Sequence, residues 1–297
     1  MKGTLLGIFF TILWSSAAIA IKIGLQSTTP LALATTRFLI AGGLLFLYVY
    51  VIKRTYRWPS RIEWRQLFVL GLLNTSIYLG VTFWTLTSVS AGIFNLFVTT
   101  NPFIVALLSY LWLKRKIAVK EWCGMFIAAV GLFIATAPSI LISETSILGI
   151  IVLAIGMVSM AVGSVYFNKR ALQLPGIVVN TWQVTIGGIV LIPFTFLLEH
   201  QSFFVEWDQN LLISMFWLVF VISIGTMILW FYLLKQDAVR ANNWLFLTPV
   251  FGYMLAFLFL GEPFTKYDLI ATVCVMVGLF ISGNISFSFR KSDKREG

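Results

Sequence analysis

The chain has 297 residues, 59% of them hydrophobic and 11% charged, and its formal net charge is +10. A typical soluble domain carries roughly 25% charged residues, and a fold this poor in polar groups has too few to clothe its exterior, which excludes a water-soluble protein. One histidine, His200, and two cysteines, Cys123 and Cys274, exclude a metal cluster or disulfide framework, so no metal and no cofactor are expected.

Apolar runs near the ~20 residues that span ~30 Å of hydrocarbon predict ten helices, at about 4–25, 31–52, 66–88, 91–113, 121–139, 146–168, 177–198, 211–234, 240–260 and 267–287. The first begins Met1-Lys2 and passes Ala18-Ile19-Ala20, a pattern shared with cleaved signal peptides. Lys22 and the pair Ser15-Ser16 spoil that reading, and cleavage would leave four helices facing five. Helix 2 carries Arg37 about two turns from its start. Helices 3 and 4 are richest in polar groups, with Asn74, Thr75, Ser76, Tyr78 and Thr82 followed by Asn95, Thr99, Thr100 and Asn101 before Pro102. Spacing puts Asn95, Thr99 and Pro102 on one face, and Asn74 with Tyr78 on another. Pro30, Pro59, Pro138, Pro175 and Pro263 fall in connections or at helix ends, whereas Pro102, Pro193 and Pro249 fall within apolar runs. Cys123 and Cys274 read as small core residues.

Helix 5 ends in Val130-Gly131-Leu132-Phe133-Ile134, and Val277-Gly278-Leu279-Phe280-Ile281 recurs 147 residues on (130 to 277). The same offset carries Asn95 onto Asn242 and Pro102 onto Pro249. The chain is therefore a duplication, with repeats at 1–139 and 146–287 and a basic tail at 288–297. An odd number of crossings per repeat places the two copies in opposite orientation. Gly124, Ala128, Gly131 and Ala135 form a small-residue stripe on helix 5, matched by Ala271, Val275, Gly278 and Ser282 on helix 10. Such stripes let helices approach closely in lipid, within a chain or between two, so helix 5 or helix 10 is the expected face of any homodimer.

With a cytoplasmic N-terminus, the inner side receives Lys2, Lys53, Arg54, Arg57, Arg61, Arg65, Lys114, Arg115, Lys116, Lys120, Lys169, Arg170, Lys235, Arg240, Arg290, Lys291, Lys294 and Arg295, and the outer loops receive Lys266 alone. This bias predicts that both termini are cytoplasmic. The basic residues sit in short connections rather than on one folded face, so topology accounts for the net charge and nucleic acid is not an expected partner.

Polar groups held in hydrocarbon require a partner or a wet cavity. For a single Ser or Thr, interhelical hydrogen bonding is the simpler account; a carboxamide is harder to satisfy. Asn74, Asn95, Thr99, Gln183 and Asn243, with Ser16 and Tyr78, are thus candidates to contact a small-molecule substrate. Trp14, Trp182 and Trp230 are candidate stacking surfaces or bundle filling. Lys22 and Arg37 either snorkel to the surface or face the cavity, where the natural partner is a carboxylate or phosphate. No Asp, Glu or His falls well inside a span, which disfavours a midplane proton relay.

In order and spacing, Trp14-Ser15-Ser16 with Lys22, Arg37-Phe38, Pro249 through Gly261-Glu262-Pro263, and the closing Gly131 and Gly278 resemble the drug/metabolite transporter superfamily, in particular its EamA-like ten-helix branch. The resemblance covers nearly the whole chain. The first copy departs from it, since Lys114-Arg115-Lys116 stands where Gly-Glu is expected, leaving Glu262 alone to serve any helix-end or gating role beside Pro102 and Pro249. The resemblance implies inverted five-helix repeats around a central cavity, helices 5 and 10 at the periphery, and carriage of small organic solutes, often export of amino acids, across the inner membrane. A lipid-modifying membrane enzyme is the alternative. It needs a cluster of acids, histidines or lysines at one face, and the loops hold none. A channel would need a filter ring built from several subunits.

Overall fold

A computed structural model describes residues 2–113, 118–141, 145–170, 174–236 and 244–281. Among them ten helical segments run in chain order. They are α1 (Lys2–Gly24), α2 (Pro30–Lys53), α3 (Arg61–Thr85), α4 in two pieces (Ala91–Val98 and Asn101–Leu113), α5 (Val119–Leu141), α6 (Ile147–Arg170), α7 (Gly176–Glu199), α8 (209–236), α9 (Thr248–Leu260 behind a short turn, Leu245–Leu247) and α10 (Lys266–Ile281). Eight are long and apolar enough to cross a membrane; α9, at 13 residues, is shorter. The protein is an all-α integral membrane fold.

Helix starts follow local chemistry. α3 begins at Arg61, five residues before the apolar run, because Ser60 and Glu63 form a reciprocal capping box. Asp208 caps α8 by accepting from the Leu211 amide at 2.8 Å, which holds its carboxyl below the usual range. Pro138 lies inside α5 rather than in a connection, because that helix continues for one more turn.

Three helices widen to i→i+5 turns, at Leu47–Lys53 in α2, Gly71–Leu79 in α3 and Trp217–Thr226 in α8. In α3 the Ser76 hydroxyl reaches the Gly71 carbonyl (3.4 Å), and in α8 the Thr226 hydroxyl reaches that of Val221 (2.8 Å). The same five-residue reach thus recurs in equivalent helices of the two repeats. Wide turns of this kind are frequent at functional sites.

α4 is interrupted ahead of Pro102, and the described part of α9 opens on an irregular turn ahead of Pro249. A proline lacks the amide that would bond four residues back, and its ring crowds that carbonyl. Ahead of Pro102 the chain tightens to three-residue bonds from Thr99 to Leu96 and from Thr100 to Phe97, and both threonine hydroxyls donate to those same carbonyls. Ahead of Pro249 stands the turn Leu245–Leu247. The tightened turn at Thr99 and Thr100 lies between Asn95 and Pro102, so the regular helical spacing on which their shared face was expected is not continuous there. From α1, Thr11 and Ser15 donate to the Trp244 and Thr248 carbonyls at 2.8 and 3.2 Å, stitching the α9 break to its neighbour.

α2 packs on α7, where Gly42 admits Thr185 at a distance a side chain would block and Gly188 lies close against Phe38, and on its next face α7 admits Thr75 of α3 at Gly187. α5 packs on α10 through the small-residue stripes, with Gly131 against Ala271 and Cys274, and Gly278 against Gly124 and Ala128. The described stripe residues are spent within the chain, Ser282 lying outside the described residues, and Phe126, Phe133, Val273 and Phe280 face outward instead. Cys274 is half-buried at this seam, but Cys123 is exposed, contrary to its reading as a core residue; its position on α5 points away from α10.

Candidate functional site

The end of the bundle carrying Lys22 is tied together by side-chain contacts between helices. Gly261, in the left-handed conformation at φ 65°, stops α9 and turns Glu262 onto its neighbours. The Glu262 carboxylate accepts from the first amides of α4, Ala91 at 3.0 Å and Gly92 at 3.2 Å, and pairs with the Lys22 ammonium at 3.0 Å. One carboxylate thus holds α1, α4 and α9, and it suits the positive end of the α4 dipole. Glu199, the last residue of α7, does the same for α2 by accepting from the Leu31 and Ala32 amides at 2.7 and 3.0 Å. Glu206 donates its amide to the Ser27 carbonyl at 2.7 Å, Thr28 bridges Val205, and Ser146 donates its amide to the Ser88 carbonyl at 3.1 Å. At the opposite end, Arg57 forms a two-pronged pair with Glu63, both contacts at 2.7 Å, which raises the Arg57 pKa.

Between these ends lies Arg37, 4% exposed. Its Nε donates to the Ser223 hydroxyl of the wide α8 segment at 3.0 Å, and its guanidinium carbon lies 5.1 Å from the Phe38 ring centroid and 5.6 Å from that of Phe83 on α3. Tyr78, from the wide α3 segment, is buried as well. Asn180 of α7 donates through Nδ2 to the Ser223 carbonyl at 3.0 Å, while its own Oδ1 is buried without a partner. Arg37 therefore joins the widened helices of both repeats. Among the described residues the ion pairs are Lys22–Glu262 and Arg57–Glu63, and no carboxylate faces Arg37. A buried guanidinium with one hydrogen bond retains four further N–H groups for another partner.

The other expected site residues lie in separate neighbourhoods. Asn74 donates to Gln183 Oε1 at 3.1 Å and packs against Gly163, tying α3 to α6 and α7, with its Oδ1 buried and unpartnered. Asn95 donates to the Ala91 and Ser15 carbonyls and packs against Gly252 between α1, α4 and α9. Ser16 donates to the Leu13 carbonyl and accepts from the Trp217 indole at 2.8 Å. Trp182 donates to the Tyr50 hydroxyl at 2.9 Å within an aromatic cluster that includes Trp58 and Trp64. Trp14 and Trp230 gather around Phe10, 5.6 and 5.2 Å away between centroids. Thr99 is fully buried in the α4 break. Asn243, like Asn242 and Arg115, lies outside the described residues. Among the described residues no group of three or more His, Cys, Asp or Glu side chains is placed to hold a metal ion.

The EamA-like transporter family matches residues 1–137 and again 147–284, once for each half. The chain belongs to the EamA-like transporter family. It is similar to the uncharacterized transporters YvbV and YoaV of Bacillus subtilis (strain 168). YvbV is 27% identical over 265 residues, 89% of this chain and 86% of the relative; YoaV is 24% identical over 294 residues, 98% and 100%. Protein PecM of Dickeya dadantii (strain 3937) is 27% identical over 275 residues, 91% of this chain and 89% of its own. A crystal structure at 16% identity covers 95% of this chain and 96% of that one with a TM-score of 0.66, a likeness of fold. The protein is a multi-pass membrane transporter rather than an enzyme.

In this EamA-like transporter the sequence pointed to Arg37, Tyr78, Lys22 and Glu262, and the structure sorts them into two places, a central guanidinium and a closing tie. Ser223 and Asn180 read in the sequence only as two of many polar groups in apolar runs, and Phe83 as one of many aromatics; the packing of α7, α8 and α3 around Arg37 distinguishes them. Glu199 was legible only as an acid at a membrane edge.

Proposed function

We propose that this transporter carries small organic metabolites, amino acids foremost, out of the cytoplasm across the inner membrane, by alternating access between two inverted five-helix repeats. The observation that carries the reading is Arg37, a cation held between the widened helices of both repeats with no carboxylate facing it. The tie of Glu262 to Lys22 and α4 supports a closed outer side, since charge bias assigns the Lys22 end to the outside. Both termini are then cytoplasmic, and ten spans result. Wide turns in α3 and α8, and proline breaks in α4 and α9, supply bends at equivalent places in each half, as discontinuous helices do in other carriers. Ser16, Asn74, Asn95, Thr99, Trp182 and Gln183, which hold protein partners in this closed form, become available to solute as the helices part.

The test is a solute screen in proteoliposomes, with and without an imposed pH gradient. Saturable movement of an amino acid or related metabolite is the expected result. Movement of no solute, together with turnover of a lipid, overturns the reading.

A further inference from the structure

We infer that Arg37 receives a single carboxylate of the solute, and that Ser223 and Asn180 are the residues that aim it. This rests on the carrier reading above and narrows it to one class, monocarboxylates, with amino acids among them. Apart from Lys266 at the first position of α10, the cations in the described spans away from the Arg57 end are Lys22 and Arg37, and they are not equivalent. Lys22 is paired with Glu262 at 3.0 Å. Among the described residues Arg37 has the Ser223 hydroxyl as its one hydrogen-bond partner and two phenyl rings beside it. A buried, unpaired cation is costly and is expected to recruit an anion.

The geometry sets the number and kind of charges. The Arg37 Nε is already engaged, which leaves the terminal nitrogens for a two-pronged bond of the type guanidinium makes with carboxylate. Among the described residues no second cation is placed beside it to balance a doubly charged phosphate, so a group carrying one negative charge fits better. The Ser223 hydroxyl fixes the guanidinium plane, and Asn180 fixes Ser223 through its carbonyl at 3.0 Å. Asn180 Oδ1 is a buried acceptor with no partner, set beside the same serine, and it is the group that would take the ammonium of an amino acid. Phe38 and Phe83, whose rings meet edge to face at 6.0 Å, wall the other side with apolar surface.

The experiment measures the unfolding temperature of the full chain in detergent with each standard L-amino acid, its carboxamide, and the matching acid that lacks the amino group. At least one amino acid should raise that temperature in a saturable way, and its carboxamide should need roughly 10- to 150-fold more ligand, the equivalent of one hydrogen bond to a charged group. Arg37→Gln should abolish the response to acids, while Arg37→Lys should keep it with weakened affinity, because the charge survives without the planar fork. Asn180→Leu should weaken binding of the amino acid more than that of the acid lacking the amino group, a split that a purely structural role would not give.

Carboxamides that bind as tightly as acids, or an unchanged response in Arg37→Gln, overturn the inference. So does the absence of any response to acids. A neutral or cationic solute moving in the proteoliposome screen would then leave the carrier reading standing, so the two fail separately.

Discussion

Replacing Arg37 with methionine separates a residue kept for binding from one kept for stability. The substitution removes one hydrogen bond to Ser223, which as a bond to a charged group is worth about 1.5–3 kcal/mol. It also removes the contacts with Phe38 and Phe83, worth about 0.5–2 kcal/mol. Against these stands relief from holding an unpaired guanidinium away from water, a penalty of several kcal/mol per ion. Methionine is unbranched and fills much of the vacated space. The terms offset one another, so the unliganded variant should unfold at the same temperature as the parent or above it, while solute transport is lost. The assay is thermal unfolding in detergent beside transport in proteoliposomes at matched incorporation. A variant destabilised by more than about 2 kcal/mol, the scale on which removing buried structural partners registers, would mean that Arg37 is a strut, and the reasoning would be refuted.

Glu262→Ala should lower the unfolding temperature more than Lys22→Ala, because it strips two helix-capping amides, about 1 kcal/mol, as well as the ion pair, whereas a partly exposed pair alone is worth about 0.2–1 kcal/mol. Equal losses would show that the caps contribute little. Gly278→Ala places a Cβ 2.5 Å from the Gly124 carbonyl oxygen and should destabilise the fold by about 1–3 kcal/mol, with transport per folded molecule unchanged; a selective loss of transport would instead put the α5–α10 seam in the transport path. In a background lacking Cys123 and Cys274, an impermeant thiol reagent applied from outside should label a cysteine at Ser202 and spare one at Thr55, and the reverse pattern would invert the topology.

Much of the fold was legible because a membrane imposes a length and a polarity on each crossing. The described helices follow the apolar runs, eight of them long enough to cross a membrane, and the described small-residue positions of α5 and α10 meet as packing faces. Boundaries shifted where a local signal outweighed hydropathy, as when the Ser60–Glu63 capping box started α3 before its apolar run. The break in α4 has its cause in view in Pro102, but helical spacing alone does not show that the chain leaves the α-helix at Thr99 and Thr100. The site was less legible. Carboxamides such as Asn74 and Asn95 looked costly in hydrocarbon, but each found a protein donor or acceptor on another helix, and sequence spacing within one helix carries no record of what the neighbours offer. The charges read more clearly, because a cation's need for a partner is strong enough to survive that uncertainty. Only the structure could show that Lys22 has a partner and Arg37 has no carboxylate.

The most direct test of alternating access is to lock the tie that closes the Lys22 end. Cysteines replacing Lys22 and Glu262, in a chain lacking Cys123 and Cys274, can be bridged by a short thiol reagent with a reducible linker. Alternating access predicts that bridging stops transport and that cutting the linker restores it to the rate of the unbridged variant. Transport that continues undiminished through the bridged protein would contradict it.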